Sequence, residues 1–205
     1  MSIQWLPDII VKFQAEYPSI EIRLLNGEYH EILEWLNTGK IDCGFLTKTV
    51  AQDNLFFPLV QDEMLAVVAP EKAEEIMAMT NDSNVFYDLH RFQSDSFIYP
   101  HKSHADDVAQ IFKQQKIKPN IRFEVKGDEA ILALISKNLG VGILPKLYLD
   151  SSRARVKTLP LDPPQYRIIG LAFSAKYDRL PITDIFTQWI KNWLANSSSF
   201  SYIIE

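Results

Sequence analysis

Apolar residues recur along the chain with two different periods. Some stand three or four residues apart, which predicts amphipathic helices, and others alternate with polar residues, which predicts strands. The predicted helices carry the apolar groups within Leu6–Tyr17, Ile32–Leu36, Val108–Phe112, Ile131–Ile135 and Ile182–Trp193. The predicted strands are Ile20–Leu24, Ile41–Leu46, Met64–Ala69, Phe97–Tyr99, Ile121–Val125, Val141–Leu144 and Arg167–Phe173. Residues 71–94 show little periodicity, and we expect a short helix and loops there.

Turn and capping residues mark where several of these elements end. Pro18 ends the first predicted helix and Gly39 the second. Ser103 with Asp106 three residues later resembles a capping box, and we expect Asp128 to cap the helix that follows it. The last helix has the clearest apolar stripe. That stripe consists of Ile182, Ile185, Phe186, Trp189, Ile190 and Trp193.

The order of the elements predicts an α/β fold with mostly parallel sheets, because strands and helices alternate. The pattern strand–helix–strand–helix–strand occurs twice. Pro70 and Pro163-Pro164 punctuate the chain on both sides of its middle segment. We therefore predict one lobe made of residues 1–69 and 165–205, with residues 70–164 inserted as a second lobe.

Composition narrows the class of protein. The 205 residues are 47% hydrophobic and 23% charged, as in ordinary globular domains, and the net charge is -5 with no cluster of Lys and Arg. We therefore expect no DNA binding by this chain itself. The single cysteine, Cys43, allows no intrachain disulfide and fits a cytoplasmic location. The first residues do not resemble a signal peptide, and no apolar run is long enough for a membrane span.

Residues that could carry catalysis or hold a metal form no complete set. His30-Glu31 is followed by Glu34 instead of the second histidine of a zinc helix, which favours a solvated helix face. His101 and His104 would need a third ligand from elsewhere to hold a metal. Gly140-Val141-Gly142 is followed by an apolar run and not by the helix that a dinucleotide site needs. We expect no catalytic residues, no metal and no cofactor.

Polar residues stand where the predicted strands end. In open α/β sheets, ligands bind beyond the carboxyl ends of strands, where helix N-termini offer free N–H donors. These ends are Asn26–Glu28, Thr47–Lys48, Tyr99–Ser103 and Lys126–Asp128. A small anion or polar metabolite would suit such a set. The alternative is that these residues are only caps and turns.

Several segments of the chain together form a pattern typical of one protein family. They are Leu6–Phe13, Tyr17–Ile22, Asn26–Leu36, Gly39–Phe45, Glu63–Pro70, Gly127–Ile135 and Leu139–Pro145. The pattern begins with a Leu-Pro helix, a Tyr-Pro pair and a strand, and its most specific part is the Leu-Gly-Val-Gly-Ile-Leu-Pro run near residue 140. These segments resemble the effector-binding domains of LysR-type transcriptional regulators, and the resemblance covers the chain from Ile3 to about Leu194.

This resemblance implies a type II periplasmic-binding-protein-like fold, in which two Rossmann-like lobes are joined by two crossover strands, here near residues 64–70 and 165–173. It implies a small-molecule effector in the interlobe cleft, whose closure is transmitted through a homodimer. Full-length members are often tetramers. They bind DNA through an N-terminal winged helix-turn-helix, which we expect to lie outside this chain, and no membrane is implied.

Carried over by position, the resemblance implies a set of ligand-binding residues. They are Ser2, Gly27, Glu28, Thr47, Lys48, Tyr99, Lys102, Ser103, Lys126, Gly127, Asp128 and Gly142. The three lysines favour an anionic effector, whereas Glu28 and Asp128 argue against a strongly basic pocket. We expect an organic acid or an amino-acid-like effector. The family's first strand should precede Trp5, so Ser2 would be a remnant of the loop after it.

Two other functions compete with a regulatory module. A solute-binding protein of a transport system could share the two-lobed fold, but it would need a secretion signal or a lipid-anchor cysteine near its start. An enzyme on the same scaffold would need convergent acid, base or nucleophilic groups. The sequence offers neither, so we favour the ligand-sensing domain of a LysR-family regulator.

Overall fold

Helices and strands alternate through most of the computed structural model, which describes residues 6–51, 54–79, 85–101, 105–176, 178 and 180–196. The helices are α1 (Leu6–Glu16), α2 (Tyr29–Asn37), α3 (Lys48–Ala51), α4 (Pro70–Met79), α5 (Ala105–Gln115), α6 (Asp128–Ser136), α7 (Lys146–Leu149) and α8 (Pro181–Ala195), and a 3-10 helix spans Leu89–Gln93. The strands are β1 (Gly44–Thr47), β2 (Leu55–Val68), β3 (Tyr87–Asp88), β4 (Phe97–Pro100), β5 (Ile121–Val125), β6 (Gly142–Pro145) and β7 (Lys157–Phe173).

The chain forms two compact units, and the second is inserted into the first. Unit 1 consists of Met1–Asp62 and Arg167–Glu205, and unit 2 of Glu63–Tyr166. Both borders fall inside long strands, because β2 and β7 each run from one unit into the other. β2 and β7 are also neighbours in the sheet.

Unit 1 packs helices against an antiparallel strand pair. β1 pairs with the last part of β7, from Gly44 opposite Ala172 to Thr47 opposite Ile169. The fully buried Leu36 of α2 and Leu46 of β1 belong to the same apolar cluster. On α1, the buried Phe13 meets the ring of Phe186 on α8 edge-on, with 4.9 Å between ring centroids. Apolar burial of this kind is the main term that stabilises the unit.

Unit 2 has helices against both faces of its sheet. β4 and β5 are parallel, a parallel bridge joins Phe97 of β4 to Val141 beside β6, and β6 is antiparallel to β2. Neighbouring residues on one strand point to opposite faces. Accordingly, Phe97 shares a cluster with Val108 of α5, whereas Ile98 shares another with Ile131 of α6. Strands buried on both faces explain the nearly continuous apolar runs in the sequence.

The structure corrects five predictions. Ile20–Leu24 was expected to be a strand, but it is irregular and Leu24 is 61% exposed. A strand needs a hydrogen-bonded partner, and no ladder partner for this segment lies among the described residues. The strand expected at Ile41–Leu46 begins only at Gly44. The sheets are mixed and not mostly parallel, because β1–β7 and β2–β6 are antiparallel.

The fourth and fifth corrections concern the cap of α6 and the buried face of α8. Asp128 is the first residue of α6, and Gly127 occupies the N-cap position. The buried residues of α8 include Thr183 and Thr187, whereas Ile185 of the predicted stripe is 43% exposed. The threonine hydroxyls donate to backbone carbonyls within the same segment, at 2.7 and 2.6 Å, and can therefore be buried without loss.

Candidate functional site

The end of β1 carries the most unusual of the predicted site residues. Thr47 is the last residue of β1, directly before α3, and is fully buried. Its Oγ1 has no hydrogen-bond partner within the described part of the chain. A buried hydroxyl without a partner is costly, which sets Thr47 apart from an ordinary cap or turn residue. Lys48 follows at the start of α3 with its side chain exposed.

Gly27 and Glu28 are held at the start of α2 by contacts within that helix. Glu28 is the N-cap, and it forms a capping box with Glu31, whose Oε2 accepts the Glu28 N–H at 2.7 Å. A Cβ on Gly27 would lie 2.7 Å from the end of the Trp35 ring, so only glycine fits there. Lys40 covers the same ring, with its Nζ 4.5 Å from the centroid. Capping and packing thus explain both residues without a ligand.

In unit 2, the ends of the parallel strands β4 and β5 lie beside one another. Tyr99 pairs with Glu124, and the N–H of His101 donates to the carbonyl of Val125 at 2.8 Å. Nδ1 of His101 lies 2.6 Å from Oε1 of Glu124, and both side chains are about half exposed. Burial, with a smaller contribution from the charges of Asp106 and Glu124, raises the pKa of Tyr99.

The start of α6 is at the same edge of unit 2, because it follows β5. Lys126 is exposed, Gly127 has a φ of 94°, and Asp128 is half-buried. A side chain on Gly127 would meet open space, so its backbone conformation is what requires glycine. Burial, followed by the charges of Asp128 and Glu129, raises the pKa of Tyr148 to about 12. Tyr148 on α7 also packs against the apolar cluster that contains Ile131 of α6, a contact that the sequence pattern did not reveal.

Gly142 is inside the core of unit 2. It is buried at the start of β6, and a Cβ there would lie 2.9 Å from Cδ1 of Ile135 on α6. Close helix–strand packing therefore accounts for this glycine. The remaining site predictions, Ser2, Lys102 and Ser103, lie outside the described residues.

Nucleophilic and metal-ligating side chains form no cluster among the described residues. Burial, and to a smaller degree the charge of Asp42, raises the pKa of Cys43 to about 12, so its thiol is a poor nucleophile at neutral pH. Within the described residues no three His, Cys, Asp or Glu side chains stand close enough to hold a metal ion. None of the described helices combines the length and the apolar character needed to cross a membrane.

Comparison with known proteins identifies the family. The family model described as LysR substrate binding domain matches residues 1–195. The chain belongs to this family. Its members are ligand-sensing, non-enzymatic regulatory domains of LysR-type transcriptional regulators, so the predicted family and the absence of catalysis are confirmed.

Relatives in sequence and structure agree with this assignment. The chain is 30% identical over 190 residues to the HTH-type transcriptional regulator YybE of Bacillus subtilis, and the match covers 90% of this chain and 62% of YybE. It therefore spans less than two thirds of that relative. The CcmR regulatory domain of Synechocystis PCC6803 in complex with 2-PG superimposes with a TM-score of 0.77 at 19% identity, covering 94% of this chain and 92% of CcmR. The effector-binding domain of QuiR in complex with shikimate gives 0.75 at 24% identity, with 95% and 92% covered.

These neighbours confirm the predicted fold class, the type II periplasmic-binding-protein-like arrangement of LysR effector-binding domains. A ligand-sensing regulatory domain is also favoured over a transport solute-binding protein, because the relatives are transcriptional regulators.

Proposed function

We propose that this LysR-type domain senses an organic acid or an amino-acid-like effector through the strand ends of its two units. The observation that carries the proposal is the buried Oγ1 of Thr47, which has no hydrogen-bond partner among the described residues. A hydroxyl in this position is both a donor and an acceptor, and a polar ligand that reached it would remove the cost of leaving it unpaired.

The acidic character of the effector is supported by charge and by the structural neighbours. Lys48 and Lys126 are exposed at the ends of β1 and β5, and a carboxylate is a natural partner for an ammonium group. The QuiR domain was solved with shikimate and the CcmR domain with 2-PG. The family resemblance implies that one effector contacts both units, so Gly27, Glu28, Tyr99, Gly127, Asp128 and Gly142 stay in the proposed set, together with Ser2, Lys102 and Ser103.

In the whole regulator, we expect the effector to act by binding one conformation of this domain better than another, because only differential affinity can shift an equilibrium. The response would pass through a homodimer, or a tetramer of full-length chains, to a DNA-binding domain. We expect that protein to work in the cytoplasm.

The test compares Thr47→Val with Thr187→Val. Both remove one buried hydroxyl, but that of Thr187 donates to the carbonyl of Thr183 at 2.6 Å. Without ligand, Thr47→Val should raise the free energy of unfolding by about 1 kcal/mol, since an unpaired hydroxyl is lost. Thr187→Val should lower it by about 1 kcal/mol, since a hydrogen bond is lost. Urea denaturation of both variants measures the difference.

Effector binding is then tested by thermal shift against a panel of organic acids and amino acids. A ligand at one hundred times its Kd adds about 2.7 kcal/mol of stability. We expect a hit whose Kd rises at least about tenfold in Thr47→Val, the loss of about one hydrogen bond, and stays unchanged in Thr187→Val. A hit that binds Thr47→Val and Lys126→Met as tightly as the unaltered chain would place the effector elsewhere.

A further inference from the structure

A buried ion pair joins the two strands that connect the units. Arg167 Nη2 and Nε lie 2.8 and 2.9 Å from Oδ2 of Asp62. The Asp62 side chain is 0% exposed and that of Arg167 is 6% exposed. Asp62 is in β2 and Arg167 is in β7, at the points where each strand leaves unit 1.

Burial of this pair is unexpected on stability grounds alone. Removing two charges from water costs more than an apolar pair of similar volume would, so buried ion pairs are often neutral or unfavourable for stability. The flanking residues on the same buried faces include the apolar Val60, Met64 and Ile169. Packing would therefore accept apolar side chains at both positions, and the charges call for another explanation.

Strand register supplies that explanation. A slip of two residues moves one strand by about 6.8 Å along its neighbour and keeps the same residues on the buried face. Apolar side chains would tolerate such a slip, but it would separate Asp62 from Arg167 and break their buried contact. The observed register is therefore the one that keeps these two groups together.

We infer that Asp62 and Arg167 are positioning residues that fix the register of β2 against β7 and thereby restrict the motion of unit 2 relative to unit 1. Both strands continue into unit 2, so the register at this point sets where each of them enters it. The inference concerns the free domain and is independent of any effector.

The test measures distances between the units by pulsed electron resonance. Nitroxide labels are attached at Glu34→Cys in unit 1 and Lys113→Cys in unit 2, both exposed helix positions, in a Cys43→Ala background. An excess of unlabelled chain suppresses signals between molecules. In Asp62→Leu with Arg167→Met, we expect a second distance population or at least about a twofold wider distribution, with the melting temperature kept or raised.

Two further variants keep the test decisive. Lys146→Gln removes the exposed pair with Asp150, whose Oδ2 lies 2.6 Å from Nζ, and should leave the distribution unchanged. Arg167→Lys keeps the charge but removes one of the two nitrogens that contact Oδ2 of Asp62, so it should also widen the distance distribution. This variant provides the test if Asp62→Leu with Arg167→Met fails to fold. A distribution as narrow as that of the unaltered chain in every folded variant, or equal widening in Lys146→Gln, would overturn the inference.

Discussion

Single residues in unit 1 show that a glycine can be required by a neighbouring side chain and not by its own backbone angles. Gly27 is not among the described residues with positive φ, yet a Cβ there would lie 2.7 Å from the Trp35 ring. Lys40 lies over the face of the same ring, with its Nζ 4.5 Å from the centroid. The requirement for glycine just before α2 therefore comes from the position of the Trp35 side chain.

We predict that Gly27→Ala lowers the free energy of unfolding by about 1–2 kcal/mol, because the new methyl group overpacks against Trp35. In a Trp35→Phe background, where the far end of the indole ring is gone, the same substitution should cost less than about 0.5 kcal/mol. Denaturant unfolding of the four proteins in this cycle measures the coupling. An equal cost in both backgrounds would contradict the steric explanation.

The family resemblance placed Gly27, Glu28 and Gly142 among the ligand-binding residues, and that remains a prediction. The structure shows that Trp35, Glu31 and Ile135 supply packing or capping partners for them. Thr47 was selected by position alone, and the absence of a partner for it among the described residues depends on three-dimensional burial that no spacing encodes. The packing of Tyr148 against the cluster that contains Ile131 also joins separate elements and could not be predicted from either segment.

At the scale of elements, strongly amphipathic helices were predictable and short strands less so. α1, α2, α6 and α8 follow the 3.6-residue period that gives a helix one buried face. A strand depends on a partner elsewhere in the chain, and alternation alone does not supply one. The segment Ile20–Leu24 alternates as a strand should, but its residues are mostly exposed and it pairs with no described strand.

We therefore predict that the backbone amides of residues 21–25 exchange with deuterium within about tenfold of the rate of an unstructured peptide, since no ladder with a described strand protects them. Amides of β6, which pairs with β2 from Met64 opposite Pro145 to Val67 opposite Gly142, are the internal reference and should exchange far more slowly. Hydrogen exchange read by mass spectrometry or NMR gives both rates. Comparable protection of the two segments would contradict the prediction.

At the scale of the whole molecule, apolar side chains remain on the outside of unit 1. Val11 on α1 is 69% exposed and Ile185 on α8 is 43% exposed. The two helices contact one another, and the rings of Trp189 and Trp193, both on α8, stack with centroids 6.5 Å apart. Contiguous exposed apolar patches mark association surfaces, and we predict that Val11 and Ile185 belong to one. The family resemblance names a second copy of the chain as the partner.

We predict that the purified chain is a dimer at tens of micromolar, within the usual range for a specific protein interface. Val11→Asp with Ile185→Asp should shift it towards monomer in sedimentation velocity, because charges would be buried at the contact. The matched control is Met79→Asp on α4 of unit 2, where the side chain is 71% exposed. A monomeric unaltered chain, or loss of the dimer only in the control, would contradict the prediction.

The fold class and the family could be predicted from the sequence, whereas the pairing of strands within the sheet could not. The glycine and proline signals around Gly140 and Pro145 are local and therefore visible in one sequence. The antiparallel pairing of β1 with β7 joins residues more than one hundred positions apart, and no local pattern specifies it.

The contact between Asp62 and Arg167 also has a consequence for protein engineering. Because these residues touch, the 104-residue segment Glu63–Tyr166 departs from and returns to almost the same place on unit 1. Domain insertion is tolerated where chain ends lie close together, so we expect that a foreign domain with adjacent termini can replace this segment between Asp62 and Arg167.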